Sequence, residues 1–597
     1  METSNTTTPM FNRPTAKLFP TSYEAPPKPT NPVVRGLSLY YGSSMISSVN
    51  AISKYLWSNA GFTILRDIPE LHNFHPRFDP SVIPSSKESQ RINDASDAHS
   101  AFTSRAPTYD GSGPFPSIID YHSAYSNATI TPIDVVEALL PLVRRDLPDP
   151  TDHSAAFLQT RVGTVIAAAE ASSARWKLGK PLGFLDGVPV AVKDELDIEG
   201  YEKKLGSSRV FRTEGTSWCV QALIDAGAIV IGKSSMHELG TDTTNNNPTH
   251  GTPLNPYGKE YYCGGSSGGS AYSVAAGLVP LAVGADGGGS IRIPASFCGI
   301  YGLKTSHGRV SRLPTMNVAS SCGVIGPMGA NMIDVEIGFR TMAAPDPLNA
   351  TSSCFPSPSI ATIPAAKKVL GVYKPWFERA EPAVRTACET TIDYLRDTLG
   401  YKIVEVSIPM LHAGQTAHAL TCLTELAAGN PGSVSDLQAA NKILISVGRH
   451  TPASDFLLAQ RLRELLMQHL SALFQEHPGL VIVTPTTTLP GWHIAGGSQD
   501  LKYGVSDANM STRNMEYVWV ANLSGCPCLQ APVGYIEAKG EAIVPVGLMG
   551  MTEWGADEEA VAWGYDVEKW LHAGLEGGRR SPKRWVDILN VAGKNGR

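Results

Sequence analysis

The sequence of 597 residues is 42% hydrophobic and 17% charged, with a formal net charge of −6. It is long enough for more than one domain and has the composition of a folded globular protein, which excludes an intrinsically disordered chain. The mild acidity and the lack of a long basic run argue against nucleic acid as a partner. No stretch reaches about 18 consecutive apolar residues, which argues against a stable membrane span.

The cysteines and the first residues predict a cytoplasmic protein. Nine cysteines are scattered along the chain, and an odd, unpatterned set is typical of a reduced protein. Residues 1–19 contain no apolar core of a secretory signal, so we expect none.

The first fifth of the chain gives few regular signals. Residues 1–33 are rich in Thr, Pro and Asn, which predicts a mostly disordered tail. A helix is expected around 44–57, and residues 71–115 are interpreted as a polar, proline-rich wrapping segment. Residues 1–115 are therefore predicted to be an N-terminal extension, for which the sequence assigns no function.

Helix and strand patterns alternate from about Ile118 onward. Thr131-Pro132 marks a helix start, because proline suits the first helical turn. A second amphipathic helix is predicted over 153–178, and residues 181–194 are predicted to form a strand with Val188, Val190 and Val192 on one face. Further predicted elements are a helix at 218–226, a strand at 228–231, a helix at 332–343, a strand at 368–373, a helix at 381–399, a strand at 480–485 and a helix from Asp557. This alternation predicts an α/β protein with a mixed sheet.

Two clusters rich in glycine and serine organise the stretch 263–310. The first occupies residues 264–270 and the second residues 287–290. Glycine allows backbone shapes that other residues resist and lets a ligand approach the main chain closely. Flexible linkers have a similar composition, but the segment between the clusters is strongly apolar. The pattern therefore favours a pocket formed by backbone N–H groups.

Two single motif matches carry less weight. Residues 227–234, GAIVIGKS, fit the phosphate-loop pattern GxxxxGK(S/T), but that loop needs a flexible backbone between its glycines. The spacer Ala-Ile-Val-Ile favours a strand, so we expect no nucleotide site. Residues 264–268 fit the nucleophile elbow GxSxG, which needs a preceding strand. The run before it is short and begins with polar residues, and Ser266 as an elbow nucleophile is kept as an alternative.

Three motifs occur in a fixed order along the central part of the chain. Residues 187–194 read GVPVAVKD, residues 264–269 read GGSSGG, and residues 286–294 read DGGGSIRIP. Together they resemble the amidase signature family, and the resemblance spans residues 116–595, the predicted catalytic domain. Ala285 and Thr305 depart from the residues usual in that family, but neither departure removes a catalytic side chain.

The resemblance implies a triad of two serines and a lysine. Ser290 would be the nucleophile, Ser266 a bridging serine that follows a cis peptide bond, and Lys193 the base. A serine hydroxyl needs a base to remove its proton, and a lysine can serve only when neutral, a state that burial favours. Ser266 can relay the proton because a hydroxyl both donates and accepts. No histidine occurs in either cluster, so a Ser-His-Asp triad has no local support.

The resemblance also implies the surroundings of the nucleophile and the fold. Backbone N–H groups of Gly287, Gly288 and Gly289, together with that of the nucleophile, would form the oxyanion hole. Asp286 and Arg292 are interpreted as a partly buried supporting pair rather than as reactants. The implied fold is α/β, with a large twisted mixed β-sheet covered by helices on both faces.

We therefore predict a serine hydrolase that forms an acyl-enzyme on Ser290, releases an amine or ammonia and then admits water. Carboxylic amides of small molecules are the expected substrates, and esters are compatible. The mechanism requires no metal or organic cofactor, and a homodimer is compatible with the resemblance. Two alternatives stay open: an amidotransferase-type subunit that delivers ammonia to a partner, and a non-catalytic relative that only binds.

The acyl pocket is expected to lie outside the motifs. Residues 410–477 are mostly helical by pattern and are predicted to form a cap, which would line the pocket together with residues 488–520. Four aromatic side chains there either indicate an apolar or aromatic acyl group or belong to the core: Trp492, Tyr503, Tyr517 and Trp519. The sequence does not distinguish a fatty acid amide from an aryl amide or a specialised-metabolite amide.

Overall fold

The computed structural model describes residues 10–26, 31–85, 115–316, 318–358, 367–539 and 542–595. Within these ranges, eleven strands form one mixed sheet and four short strands form two separate pairs. In chain order the strands are β1 (Met10–Phe11), β2 (Val34–Arg35), β3 (Ile83–Pro84), β4 (Phe157–Gln159), β5 (Pro189–Lys193), β6 (Ile229–Ser234), β7 (Leu281–Asp286), β8 (Tyr301–Lys304), β9 (Val324–Gly329), β10 (Val369–Val372), β11 (Lys402–Glu405), β12 (Leu480–Pro485), β13 (Val505–Ser506), β14 (Cys528–Glu537) and β15 (Ile543–Met551).

Helices occupy most of the connections between these strands. In chain order they are α1 (Gly36–Ser48), α2 (Asn50–Asn59), α3 (Ile118–Ser126), α4 (Pro132–Val143), α5 (Val162–Lys177), α6 (Trp218–Asp225), α7 (Gly268–Ala275), α8 (Arg292–Phe297), α9 (Met332–Met342), α10 (Lys374–Phe377), α11 (Pro382–Asp397), α12 (Leu411–Ala428), α13 (Ala439–Gly448), α14 (Ala453–Glu476), α15 (Ser498–Tyr503), α16 (Ala508–Asn514), α17 (Trp519–Ser524), α18 (Asp557–Lys569) and α19 (Ile588–Asn595).

The large sheet consists of two groups of strands joined by a hairpin. Its order is β11-β10-β12-β15-β14-β8-β9-β7-β5-β6-β4. Strands β14 and β15 pair antiparallel with each other, β14 pairs with β8, and β15 pairs with β12. Parallel and antiparallel pairs occur together, which confirms the predicted α/β class with a mixed sheet.

Three parallel strands position the motifs 187–194 and 286–294 at the carboxyl ends of the strands. Strand β5 pairs in parallel with β6 and with β7. Val190, Ala191 and Val192 of β5 are fully buried, as expected of a parallel strand that is covered on both faces. Lys193 is the last residue of β5 and Asp286 the last of β7. The carboxyl ends of neighbouring parallel strands are where α/β proteins bind ligands.

Most of the predicted elements occur at the predicted places. Helix α4 begins at Pro132, where the Thr131 N–H donates to the Asp134 carboxylate at 2.7 Å and the Asp134 N–H donates back to Thr131 Oγ1 at 3.4 Å. This reciprocal cap is the expected helix start. The elements predicted at 218–226, 228–231, 332–343, 368–373, 381–399 and 480–485, and the helix from Asp557, are confirmed to within three residues at each boundary.

The segment 153–178, expected to be one helix, is divided into three parts. A 3₁₀ turn spans Asp152–Ala156, strand β4 follows, and α5 begins only at Val162. Strand β4 forms the edge of the sheet, where Phe157 pairs with Ser234 of β6. The prediction was wrong because a pairing with a distant strand overrides the local helical spacing of apolar residues.

The N-terminal residues hold more structure than the sequence predicts. The helix expected around 44–57 is two helices, α1 and α2, separated at Val49, whose backbone is extended. Residues 10–26, expected to be disordered, run past α14, where the Lys17 N–H donates to the Gln468 carbonyl at 3.1 Å. The rest of the expected tail at 1–9 and 27–30, and the part of the expected wrapping segment at 86–114, lie outside the described residues.

Residues 410–477 are mostly helical, as predicted, and comprise α12, α13 and α14. Helix α1 of the N-terminal extension packs on α13. Every helix in the described ranges is too short or too polar to cross a bilayer.

Candidate active site

Lys193 at the end of β5 is the centre of the candidate site. Its side chain is 1% exposed. The Nζ atom donates to Ser266 Oγ at 2.9 Å and to the Ala285 carbonyl at 3.2 Å, and lies 3.2 Å from Glu195 Oε2. The structure therefore brings the predicted base and the predicted bridging serine into direct contact.

The surroundings of Lys193 favour its neutral form. Burial lowers the pKa of the Lys193 amine, because the ammonium loses its hydration, while the carboxylates of Glu195 and Asp286 oppose this effect. Burial outweighs both, so the pKa lies below its ordinary value. The lowered pKa makes the neutral amine, the form that can accept a proton, easier to reach than in an exposed lysine.

The loop of Ser266 is held by backbone contacts. The peptide bond between Gly265 and Ser266 is cis, and the Ser266 carbonyl accepts from the His237 N–H at 3.1 Å. Ser267 Oγ donates to the Ala285 carbonyl at 3.1 Å, and Ser270 Oγ donates to the Val283 carbonyl at 3.0 Å. Both hydroxyls therefore serve local structure.

Ser290 lies in the turn between β7 and α8, next to the Ser266 loop. The Ser267 N–H donates to the Ser290 carbonyl at 3.1 Å, which ties the two glycine-rich loops together. Ser290 is half-buried. Among the described residues, no group forms a hydrogen bond with its hydroxyl. The structure thus places Ser290 in contact with the Ser266 loop through the backbone.

Asp286 and Arg292 form a pair that is fully buried rather than partly buried. Arg292 Nε donates to Asp286 Oδ2 at 3.0 Å and Arg292 Nη2 donates to Oδ1 at 3.1 Å. Asn522 completes the group, because its Nδ2 donates to Asp286 Oδ1 at 2.9 Å and its Oδ1 accepts from Arg292 at 2.6 Å. Burial alone would raise the pKa of Asp286, but Arg292 and these hydrogen bonds outweigh it and hold the pKa well below its usual range.

The N–H of Gly289 does not face the position expected of an oxyanion donor. It donates to Asp286 Oδ1 at 2.7 Å, so it is already engaged in fixing the turn. This contact argues against the predicted role of Gly289 as an oxyanion donor, and the make-up of the oxyanion hole stays a prediction. Gly287, Gly288 and Ser290 are the remaining candidates for the oxyanion hole.

Helix α12 supports the same turn from the side opposite Asp286. His418 Nε2 donates to the Gly287 carbonyl at 2.8 Å. A Cβ atom built on Gly288 would lie 2.8 Å from His418 Cε1 and 2.9 Å from Met515 Cε. Burial lowers the pKa of His418 to about 4, so the ring is neutral near pH 7. The segments 410–477 and 488–520 therefore both reach this turn, and their role in lining an acyl pocket stays a prediction.

Three residues of the site were not singled out from the sequence. Glu195 follows Lys193 by two positions and could have been found from that spacing, whereas Asn522 lies 230 positions from Arg292. His418 gives no local signal, because it lies 131 positions from Gly287.

The aromatic side chains considered for the acyl pocket are structural. Trp492, Tyr517 and Trp519 are almost fully buried, and the Trp519 indole donates to the Glu516 carbonyl at 3.1 Å. Tyr503 packs edge-on against Tyr40 of α1. These contacts favour the core interpretation over an aromatic acyl pocket.

The segment of the phosphate-loop match is strand β6, as its spacer predicts. Lys233 is fully buried. Its Nζ donates to the Leu196 carbonyl at 2.6 Å and lies 3.3 Å from Asp194 Oδ1. Lys233 therefore belongs to the core of the sheet.

Comparison with known proteins gives a consistent result. The sequence profile described as Amidase matches residues 149–561. A fatty acid amide hydrolase from Medicago truncatula is 32% identical over 495 residues, which cover 79% of this chain and 79% of the relative. One of the subunits of the glutamyl-tRNA(Gln) amidotransferase from Thermus thermophilus is 32% identical over 459 residues, which cover 72% of this chain and 92% of the relative. Among solved structures, a chain of a vestigial protein complex that reveals the origins of an s-triazine catabolic enzyme superposes with a TM-score of 0.68 at 26% identity, covering 76% of this chain and 98% of its own length.

Proposed function

This chain belongs to the Amidase family, and from that premise we propose that it is a serine hydrolase that cleaves carboxylic amides of small molecules. The observation that carries the proposal is the buried Lys193 amine, which donates to Ser266 Oγ at 2.9 Å. That serine lies in a loop tied by a backbone hydrogen bond to Ser290. A base, a relay and a nucleophile are the groups that acyl transfer through a serine requires.

In the proposed mechanism, Ser290 Oγ attacks the carbonyl carbon of the amide. Its proton passes to Ser266, whose own proton passes to neutral Lys193. The backbone N–H groups of Gly287, Gly288 and Ser290 stabilise the oxyanion, where each donor is typically worth about 2.7–4 kcal/mol. The proton then returns through Ser266 to the leaving amine as its bond to the carbonyl carbon breaks.

Hydrolysis of the acyl-enzyme repeats these steps with water. Lys193 accepts a proton from water through Ser266, and the hydroxide formed attacks the ester of Ser290. The carboxylic acid leaves when the proton returns to Ser290 Oγ. These residues need no metal or organic cofactor for any step.

Fatty acid amides are the first substrate class to test, because the relative from Medicago truncatula bears that activity in its name. The competing function is that of an amidotransferase-type subunit, whose relatives are also about one-third identical. Cytoplasmic location, a homodimer and the separation of residues 1–115 from a catalytic domain at 116–595 stay predictions.

The nucleophile is tested by labelling with a fluorophosphonate, followed by intact-mass measurement and peptide mapping. We expect one adduct on Ser290, and none in Ser290→Ala. Ser267→Ala is the matched control in the neighbouring loop and should keep the adduct, because the Ser267 hydroxyl bonds, within the described part of the chain, to the backbone of Ala285 alone. An adduct on Ser266 would favour the elbow alternative, and no adduct on folded protein would favour a partner-dependent or non-catalytic relative.

The reaction is tested with amides whose acyl chains range from acetyl to long-chain. A hydrolase should release amine without any partner, and Lys193→Ala should lower kcat/KM by several orders of magnitude with the fold intact. If the protein releases ammonia only from glutamine, and only with a partner present, it is an amidotransferase-type subunit and the proposal of an independent amidase is wrong.

A further inference from the structure

A cluster of two cysteines and a histidine lies against the turn that holds Ser290. Cys322 precedes β9, whereas His418 and Cys422 are four residues apart on α12 and so share one face of the helix. One ligand atom of each, the two Sγ atoms and a ring nitrogen, lies within 4.8 Å of the others. The proposed hydrolysis uses none of these side chains.

The spacing of these atoms suits a tetrahedral cation site. Cys422 Sγ lies 3.5 Å from His418 Nε2. Bond lengths of about 2.3 Å from zinc to sulfur and about 2.0 Å from zinc to nitrogen place such ligands about 3.5 Å apart at a tetrahedral angle. Thiolate and imidazole are also the ligands that zinc prefers. Little movement of Cys422 and His418 is therefore needed.

The charge around Cys322 favours the thiolate that a metal requires. Arg463 Nη2 lies 3.3 Å from Cys322 Sγ. Arg463 is fully buried, and its other hydrogen bonds go to the uncharged oxygens of Arg77, Phe78 and Ser321. Within the described ranges it has no carboxylate as an ion-pair partner. A buried guanidinium is costly without an anion nearby, and a Cys322 thiolate would supply one.

We propose that Cys322, His418 and Cys422 form a binding site for a thiophilic divalent cation, with Zn²⁺ as the representative, and that its occupation inhibits the enzyme. The inhibitory part rests on the proposed amidase function, whereas the binding part does not. The cation is a regulator in this proposal and takes no part in hydrolysis.

The cation would affect the reaction through the Gly287 carbonyl. This carbonyl accepts from His418 Nε2 at 2.8 Å, and a cation would take the electron pair of that nitrogen instead. The Nε2 proton moves to Nδ1, which is buried and has no hydrogen-bond partner, and Cys422 loses its S–H proton to solvent. The Gly287 carbonyl then loses both the His418 donor and the weaker contact of the Cys422 S–H at 3.7 Å. The N–H groups of Gly287 and Gly288 therefore leave the positions that the oxyanion needs.

Two features indicate that binding is reversible. Cys422 is half-buried, whereas Cys322 and His418 are buried, so the cation enters and leaves past Cys422. A histidine that binds a metal usually donates its other N–H to an acceptor, and His418 Nδ1 has none among the described residues. A chelator should therefore remove the cation.

The site is tested by titrating the full-length protein with Co²⁺ and recording the thiolate-to-cobalt charge-transfer absorption. We expect saturation at one equivalent, loss of the band on addition of Zn²⁺, and loss of the band in Cys422→Ser and Cys322→Ser. Cys422→Ser is the decisive variant because Cys422 is the less buried of the two. Cys354→Ser removes an exposed cysteine and should keep the band. If wild type shows no such band, or Cys422→Ser keeps it, the site is refuted.

Inhibition is measured on the same proteins as the ratio of rates with Zn²⁺ and with EDTA. Each variant is normalised to its own metal-free rate. We expect the Zn²⁺ concentration for half-inhibition to rise about 100-fold or more in Cys422→Ser, since a lost ligand should cost at least as much as a lost supporting group. A band without inhibition would refute the regulatory part. If no amide is hydrolysed at all, the proposed function fails, while the cobalt band still decides the site.

Discussion

Lys193 Nζ has three oxygens within 3.2 Å, and they differ in charge. Ser266 Oγ and the Ala285 carbonyl are neutral, and each can accept a hydrogen bond from the protonated or the neutral Lys193 amine. Glu195 is nearly buried and favours the ammonium, so it opposes the burial that lowers the pKa of Lys193. The balance of these two effects sets the pH at which Lys193 becomes able to accept a proton.

Glu195→Gln should shift the pH dependence of the reaction toward acid. The amide keeps the shape of the side chain but removes the charge that stabilises the Lys193 ammonium, so the pKa of Lys193 falls further. Since the reaction needs neutral Lys193, kcat/KM rises with pH, and its acidic limb should move down by about 1–3 pH units.

A pH profile of kcat/KM for wild type and variant measures this shift. Glu199→Gln changes an exposed carboxylate nearby and should leave the limb in place. A limb that stays or moves to higher pH in Glu195→Gln would mean that Lys193 is not the titrating base.

The contact of Lys193 with Ser266 could be expected from the family motifs, and that with Glu195 from its spacing of two positions. The contact of His418 with Gly287 could not be expected from the sequence. Short contiguous motifs such as GVPVAVKD and GGSSGG predict a backbone conformation and the side chains that it positions. The hydrogen bond from the Gly289 N–H depends on the orientation of the Asp286 carboxylate. The sequence of the motif does not predict that orientation. His418 depends on how α12 packs, which is a property of the assembled chain.

At the scale of elements, the turn from β7 to α8 is organised by one carboxylate. Asp286 accepts from the N–H groups of Gly289 at 2.7 Å and Ile291 at 3.1 Å, and from the Arg292 side chain. The turn is therefore held by Asp286 together with Asn522 of α17 and His418 of α12. Its three glycines are not equivalent, because only Gly289 has a positive φ, of 98°.

Gly289→Ala should destabilise the protein, whereas Gly287→Ala should not. At Gly289 the left-handed backbone disfavours a side chain, and a Cβ would lie 2.7 Å from Val518 Cγ2. At Gly287 the nearest atom to a Cβ is 3.8 Å away. We expect Gly289→Ala to cost about 1–3 kcal/mol and Gly287→Ala to stay within about 0.5 kcal/mol of wild type.

Chemical denaturation of the two variants provides the comparison, since each adds one methyl group to the same turn. Equal stabilities would show that the turn adapts to either methyl group, and that its shape is less fixed than the Asp286 contacts indicate.

Single elements were predicted better than their arrangement. Strands β6 and β12 are short apolar runs, and such runs carry their own signal. Strand β5 occupies only Pro189–Lys193 of the strand that was predicted over 181–194. The failure at 153–178 arises at β4, where Phe157 gains a partner on β6. The order of the eleven strands was not predicted at all, because pairing between distant segments produces no periodic pattern in the sequence of either segment.

At the scale of the whole molecule, the N-terminal extension is anchored to the rest of the protein by ion pairs. Arg66 donates to both oxygens of Asp455 on α14 at 2.9 and 2.7 Å, and Arg35 donates to Asp500 on α15 at 3.0 Å. Both carboxylates are almost fully buried. Buried carboxylates need their partners, so these contacts bind the extension as part of the folded unit.

Arg66→Ala should loosen the extension without unfolding the sheet. The guanidinium is 48% exposed and therefore screened by water, so we expect a loss of about 1 kcal/mol. Hydrogen exchange should become faster in Gly36–Asn59 and stay unchanged in β12. Arg212→Ala breaks a pair with Glu214 that is exposed on both sides and should change neither region. Unchanged exchange in Arg66→Ala would mean that the Arg66–Asp455 pair does not anchor the extension.

The hairpin that joins the two groups of strands has a consequence for biosynthesis. Ile300, next to β8, and Gln530, on β14, are 230 positions apart. At translation rates of about 5–20 residues per second, roughly 10–50 s pass between their synthesis. During that time β8 presents an unpaired edge on the ribosome, and β12 presents a second one once residues 480–485 have been made. Such edges invite aggregation. The nascent chain should therefore depend on chaperones that shield strand edges until the hairpin emerges and closes the sheet.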